Sequence, residues 1–208
     1  MSYIDKFLRP NILKTLFYVL VSAKWFSSFL FAGNHTEHLI KELGELAWVL
    51  LLFVIFVSLL NKLLIAHGFV RNIFARVLFL RKQAGIFMFF IALSHAFTYL
   101  GQFPGRMLEF AFSPIHAAGW GSLAMIAFLP VLITSTEFAV KKMGFRLWKN
   151  VQRITHMGFV FVCLHVALLN YFGRGRLDFA PLMLLGLYVA GYLYLFLRKQ
   201  MSRQIVKK

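Results

Sequence analysis

Six runs of about twenty mostly apolar residues divide this chain, at roughly 12–32, 44–64, 82–101, 117–138, 151–172 and 180–197. A run of that length is what a helix needs to cross the hydrocarbon core of a bilayer. Inside that core every backbone N–H and C=O must be paired within the chain, so such runs fold as helices. Of the 208 residues 60% are hydrophobic and only 14% are charged, too few charges to cover a soluble exterior. The expectation is an all-α integral membrane bundle of six transmembrane helices, a single domain over residues 1–208. The first run could pass for a secretory signal. It is longer than a usual signal core, carries Lys24 and lacks a small-x-small cleavage pattern, so it reads as a span.

The net charge of +16 invites a nucleic-acid reading, but its distribution argues otherwise. Lys41, Arg106, Arg174 and Arg176 fall on one side of the spans and Lys24 falls inside one, leaving eighteen of the 23 Lys and Arg residues on the other side. Basic loops held in the cytoplasm give this asymmetry. Both termini are therefore expected in the cytoplasm, with the chain a multi-pass protein of the inner membrane and no nucleic-acid partner. The loop from Asn61 to Arg81 is basic and carries Phe69, Phe74, Val77 and Leu78 among its arginines, which suits an amphipathic segment at the interface. The single cysteine, Cys163, cannot form an internal disulfide and reads as core filler. No internal repeat is evident.

Chemistry enters through the histidines. The stretch WKNVQRITHMGFVFVCLH, Trp148 to His165, starts with basic residues and runs into an apolar helix with histidines at 156 and 165. The segment from Arg81 to Gly101 has the same layout, with His95 fourteen positions after Arg81; His165 stands sixteen after Lys149. At about 1.5 Å per residue both rings sit about 21–24 Å from the same membrane face. Ionisable groups at that depth are costly and tend to be functional. A bond between helices would also account for either ring alone. Two imidazoles at matched depth on separate helices can take both axial positions of one haem iron, which favours electron transfer over oxygen chemistry.

The remaining histidines read differently. His156 lies nine residues before His165, about half a turn round the helix, so it points to a second site or to a bond with a neighbouring helix. His35 and His38 sit in a short outer loop beside Glu37 and Glu42, and His67 in the basic cytoplasmic loop; solvated or interfacial roles suffice for them. His116 follows Pro114 at the outer start of span four. Lys24 either snorkels outward or pairs with a haem propionate. The basic edge of Arg81, Lys82, Lys149 and Arg153 is suited to a flavin phosphate, or simply to anchoring on the cytoplasmic side.

These residues together resemble the ferric-reductase-like transmembrane superfamily. Gly44-Glu45-Leu46-Ala47 looks like the opening of that family's span two. Arg81-Lys82-Gln83-Ala84-Gly85 with Ser94-His95-Ala96-Phe97-Thr98-Tyr99 resembles its R-R-x-x-G and L-H-x-x-x-Y signatures. Pro114 to Gly119, Thr134-Ser135-Thr136, Met143-Gly144, Trp148 and His165 follow in the same order. The likeness is greatest to the haem-binding membrane subunit of periplasmic methionine sulfoxide reductase systems. It implies haem b held by His95 and His165, FMN as a further cofactor, electrons drawn from quinol or a flavin, and a molybdenum-containing periplasmic reductase as partner. One departure bears on stoichiometry. Where the family has L-H-R after the tryptophan, this chain has Val151-Gln152-Arg153, and Gln152 is a poor iron ligand, so one haem per chain is implied.

Two other functions fit the same spans: a self-standing transmembrane reductase of ferric iron or oxygen, and a non-redox transporter or scaffold whose histidines only bond between helices. In either redox reading a haem in the outer half lies roughly 20 Å from the cytoplasmic surface of a core about 30 Å thick. A cytoplasmic donor needs a relay across that distance, whereas a membrane-dissolved quinol does not. The charge asymmetry makes a topology prediction: a phosphatase reporter fused after Lys208 is inactive and a cytoplasmic fluorescent reporter is bright. The reverse pattern overturns the orientation.

Overall fold

The computed structural model describes residues 10–32, 35–64, 77–104, 113, 116–174 and 179–206. Seven helices follow in order: α1 (Pro10–Ala32), α2 (Thr36–Leu63), α3 (Leu80–Gln102), α4 (Ala117–Ile133), α5 (Glu137–Gln152), α6 (Ile154–Arg174) and α7 (Phe179–Val206). Among the described residues, Thr36–Leu63, Leu80–Gln102, Glu137–Leu169 and Phe179–Ser202 are long and apolar enough to cross a membrane, and Ala117–Ile133 is a shorter apolar helix. The protein is a multi-pass membrane protein, all-helical over the described residues, and each of the six expected spans overlaps a helix. Of the interfacial loop segment, Phe69 and Phe74 lie outside the described residues, as does His67.

The bundle is built from two helix pairs. α2 packs chiefly on α3 and α4 chiefly on α6, with thinner contact between the pairs; α7 leans on α6 and α2, and α1 on α2 and α3. Leu43, Leu51, Ile91, Phe159 and Cys163 are the large side chains fully buried in the shared core, where Trp48 stacks on Phe159 at 6.2 Å with ring planes 12° apart. Lys24 of α1 pairs with Glu42 of α2, the acidic partner that a lysine within a span requires.

The expected fourth span, 117–138, is too long. α4, with Pro130 inside it, stops at Ile133, and Thr134 and Ser135 form a turn. Thr134 closes that turn, its N–H and hydroxyl both donating to the Pro130 carbonyl at 3.0 and 2.7 Å. Thr136 then caps a new helix by accepting from Ala139 N–H at 3.2 Å, a role threonine favours. That helix, α5, was not expected as an element. It buries no residue and is bent at Gly144, whose φ of 77° suits glycine. Its lysines lie among exposed Phe138, Phe145 and Leu147, so α5 is itself an amphipathic segment, between the fourth and fifth spans.

The core makes a prediction. Phe159→Ala should lower stability by about 3–5 kcal/mol, while Phe97→Ala, at a position 65% exposed, should change it by about 0.5 kcal/mol or less. Thermal unfolding in detergent measures both; equal losses would mean that Phe159 is not a core anchor.

Candidate functional site between two helix pairs

The α2–α3 pair contributes one imidazole. His95, on α3, donates from Nδ1–H to the Ile40 carbonyl of α2 at 2.8 Å. A carbonyl oxygen can only accept, so this bond fixes the proton on Nδ1 and leaves Nε2 with its lone pair. One turn along α2, Gly44 lies beside the same ring: a Cβ there would be 3.2 Å from His95 Cε1.

The second pair repeats the arrangement. His165, on α6, donates from Nδ1–H to the Ala117 carbonyl of α4 at 2.7 Å. One turn along α4 is Gly121, where a Cβ would be 3.0 Å from His165 Nδ1. The two half-buried rings meet with centroids 6.3 Å apart and planes at 82°. A repeat invisible in the sequence is thus present in space: histidine, backbone acceptor and glycine, once in each pair.

His156 belongs to a different group. Its Nδ1 is hydrogen-bonded to the hydroxyl of Tyr188 on α7, and its ring lies 5.5 Å from that of Tyr192. The Lys62 ammonium donates to the Tyr192 hydroxyl at 3.1 Å. Of the two openings left by the sequence, the bond to a neighbouring helix is the one present here. Spacing within α6 signalled that His156 diverges from His165, but nothing in the sequence identified tyrosines more than thirty residues away as its partners.

Arg81 and Lys82 are brought together at a cavity of about 380 Å³ lined also by Phe128, Trp148, Gln152 and Thr155. Arg153 does not line it; its guanidinium donates to the Asn150 side chain at 3.1 Å. Gln152 is occupied structurally, its amide donating to the Val131 carbonyl and the Thr134 hydroxyl, each at 3.3 Å. Trp148 Nε1 donates to the Thr134 carbonyl at 3.0 Å, so the C-terminal half of α5 is clasped to the end of α4. On the opposite side His35 and His38 share a pocket with Thr36, Glu37 and Gln102. No cluster of three His, Cys, Asp or Glu side chains able to hold a metal occurs among the described residues.

This architecture can be set against known proteins. Residues 43–164 match the family described as ferric reductase like transmembrane component. The chain belongs to that family. The matched range of this ferric reductase like domain takes in His95, both glycines and Ala117, and ends one residue before His165. The chain is also 33% identical over 91 residues to the magnetosome protein MamZ of Magnetospirillum gryphiswaldense, an alignment covering 42% of this chain and 14% of that relative. No solved structure matches the chain significantly. Membership in the family supports a role in membrane electron transfer.

The His156 group carries its own prediction. His156→Phe and Tyr188→Phe should each cost about 0.6–2 kcal/mol, and the double substitution should cost little more than either alone. A double-mutant cycle in detergent measures this; simple additivity would show that the two side chains act separately.

Proposed function

We propose that the protein is the haem b-binding membrane subunit of a reductase, one haem per chain, with His95 and His165 as the axial ligands. The observation carrying this reading is the facing of two Nδ1-anchored imidazoles across the two helix pairs. An imidazole centroid lies about 1.1 Å from Nε2 and a metal–nitrogen bond is about 2.0 Å long. The centroids of His95 and His165 are 6.3 Å apart, a separation that one metal ion held by both Nε2 atoms would span. The donor set suits the group, since neutral imidazole with a lone pair on Nε2 is the haem-ligating form.

Haem, when bound, supplies the one-electron couple. The chain's own residues do the rest. The Ile40 and Ala117 carbonyls hold both rings in the required tautomer and raise their basicity. Leu43, Leu51, Ile91 and Phe159 keep the bundle interior apolar, which limits water around the metal and influences its potential. With both axial positions taken by nitrogen, the site favours passing electrons on over binding oxygen. A ferric or oxygen reductase acting alone gains no support from that coordination, and a scaffold has no need of two anchored lone pairs.

Electrons come from quinol or a flavin in this reading. Arg81 and Lys82 offer charge-assisted hydrogen bonds at the mouth of an otherwise largely apolar cavity, suited to the polar head of an amphipathic donor or the phosphate of FMN. Delivery is outward, to an extracytoplasmic reductase of the methionine sulfoxide reductase type, from a multi-pass position in the inner membrane.

Purified protein should show a Soret band that sharpens on reduction together with α and β bands, and a pyridine haemochrome ratio of one haem per chain. His95→Ala and His165→Ala should abolish haem retention, whereas His35→Ala and His67→Ala should keep it. A colourless preparation, or haem loss in the two loop variants alone, would sink the assignment.

A further inference from the structure

The repeated placement of glycine one turn after each backbone acceptor has a consequence beyond ligation itself. In an α-helix the carbonyl of residue i points toward the N–H of residue i+4, and each Cα–Cβ bond leans toward the helix N-terminus. A side chain at i+4 therefore stands beside the carbonyl at i. Ile40 with Gly44, and Ala117 with Gly121, are such pairs, and in both the carbonyl accepts an imidazole N–H from another helix. A Cβ at 44 would lie 3.2 Å from His95 Cε1 and 3.3 Å from Nδ1; one at 121 would lie 3.0 Å from His165 Nδ1 and 3.2 Å from Cε1. Comfortable separation for such atoms is about 3.5–4.0 Å. Each ring would have to retreat along the edge that makes its hydrogen bond.

Glycine is a poor helix residue, second only to proline, so two at equivalent places in separate helices call for a reason. Gly158 and Gly191 are tight for another reason, an added Cβ there meeting the Phe128 and Leu59 side chains, whereas one at Gly101 or Gly186 would meet nothing within 4 Å.

We infer that Gly44 and Gly121 are positioning residues: by leaving the Ile40 and Ala117 carbonyls uncovered they let each imidazole dock on a neighbouring helix, and so hold the two ring planes crossed. The inference rests on the haem reading for its effect on a metal, but the docking itself belongs to the protein alone. Crossed axial imidazole planes, here at 82°, give a ferric low-spin haem a strongly anisotropic resonance, whereas parallel planes give a rhombic one. Loss of an N–H···O=C bond makes the ring a weaker donor and moves the reduction potential.

The test uses full-length protein with Gly44→Ala, Gly121→Ala, and the controls Gly101→Ala and Gly186→Ala. Electron paramagnetic resonance of the ferric haem and a potentiometric titration are recorded on each. The expected result is a strongly anisotropic signal in the parent chain and both controls. The two cradle variants should shift toward a rhombic signal with altered potential, and should hold haem about ten- to a hundredfold more weakly. The change should be larger for Gly121→Ala, whose contact is tighter. Unchanged signals, potentials and haem content in both cradle variants, or equal changes in the controls, overturn the inference. Nitrogen-15 NMR of histidine-labelled, haem-free protein reads the docking without a metal. Both rings should carry the Nδ1 proton in the parent and lose that preference in the cradle variants. Nε2-protonated rings in the parent would end the inference even if haem binds, and a parent that takes up no haem but keeps both Nδ1 protons would count against the haem reading alone.

Discussion

A neutral imidazole in a membrane helix has one N–H that must find an acceptor, and the α-helix is a poor place to find one because its carbonyls are already committed to its own ladder. The protein meets this need twice by using the carbonyl of an adjacent helix, which can accept a second bond on its free lone pair. Ile40 and Ala117 serve in this way for His95 and His165. Tautomer and ring direction are consequences of those two bonds.

The opposite ends of the same helices solve a different problem. There, polar side chains bond to one another or to the end of α4: Trp148 and Gln152 to the Thr134 turn, His156 to Tyr188, and Lys62 to Tyr192. Gln152, the last residue of α5, fastens that helix to α4 through its amide.

Most of the framework could be read from residue order alone, because apolar runs of bilayer length have few ways to fold. The matched depth of His95 and His165 was legible too, since it needs only the constant rise of a helix. What escaped was information carried between helices or by the backbone. The carbonyl acceptors have no side-chain signature. Gly44 was visible as part of a motif but Gly121 was not, because the use of either depends on which helix lies alongside. The early end of α4 was missed although Pro130 and the cap at Thr136 both signal it; the apolar residues Ile133 and Phe138 on either side masked the turn. Helix α5 was obscured by its lysines, which read as loop charge until the exposed Phe138, Phe145 and Leu147 are seen to accompany them.

The two-pair layout has a mechanical corollary. Contact within each pair is more extensive than contact between them, and one imidazole comes from either half, so anything grasped by both rings acts as a rivet across the thinnest joint of the bundle. A ligand that binds only the assembled form draws the folding equilibrium toward that form. Assembly of the two halves and capture of such a ligand would then be one coupled thermodynamic event.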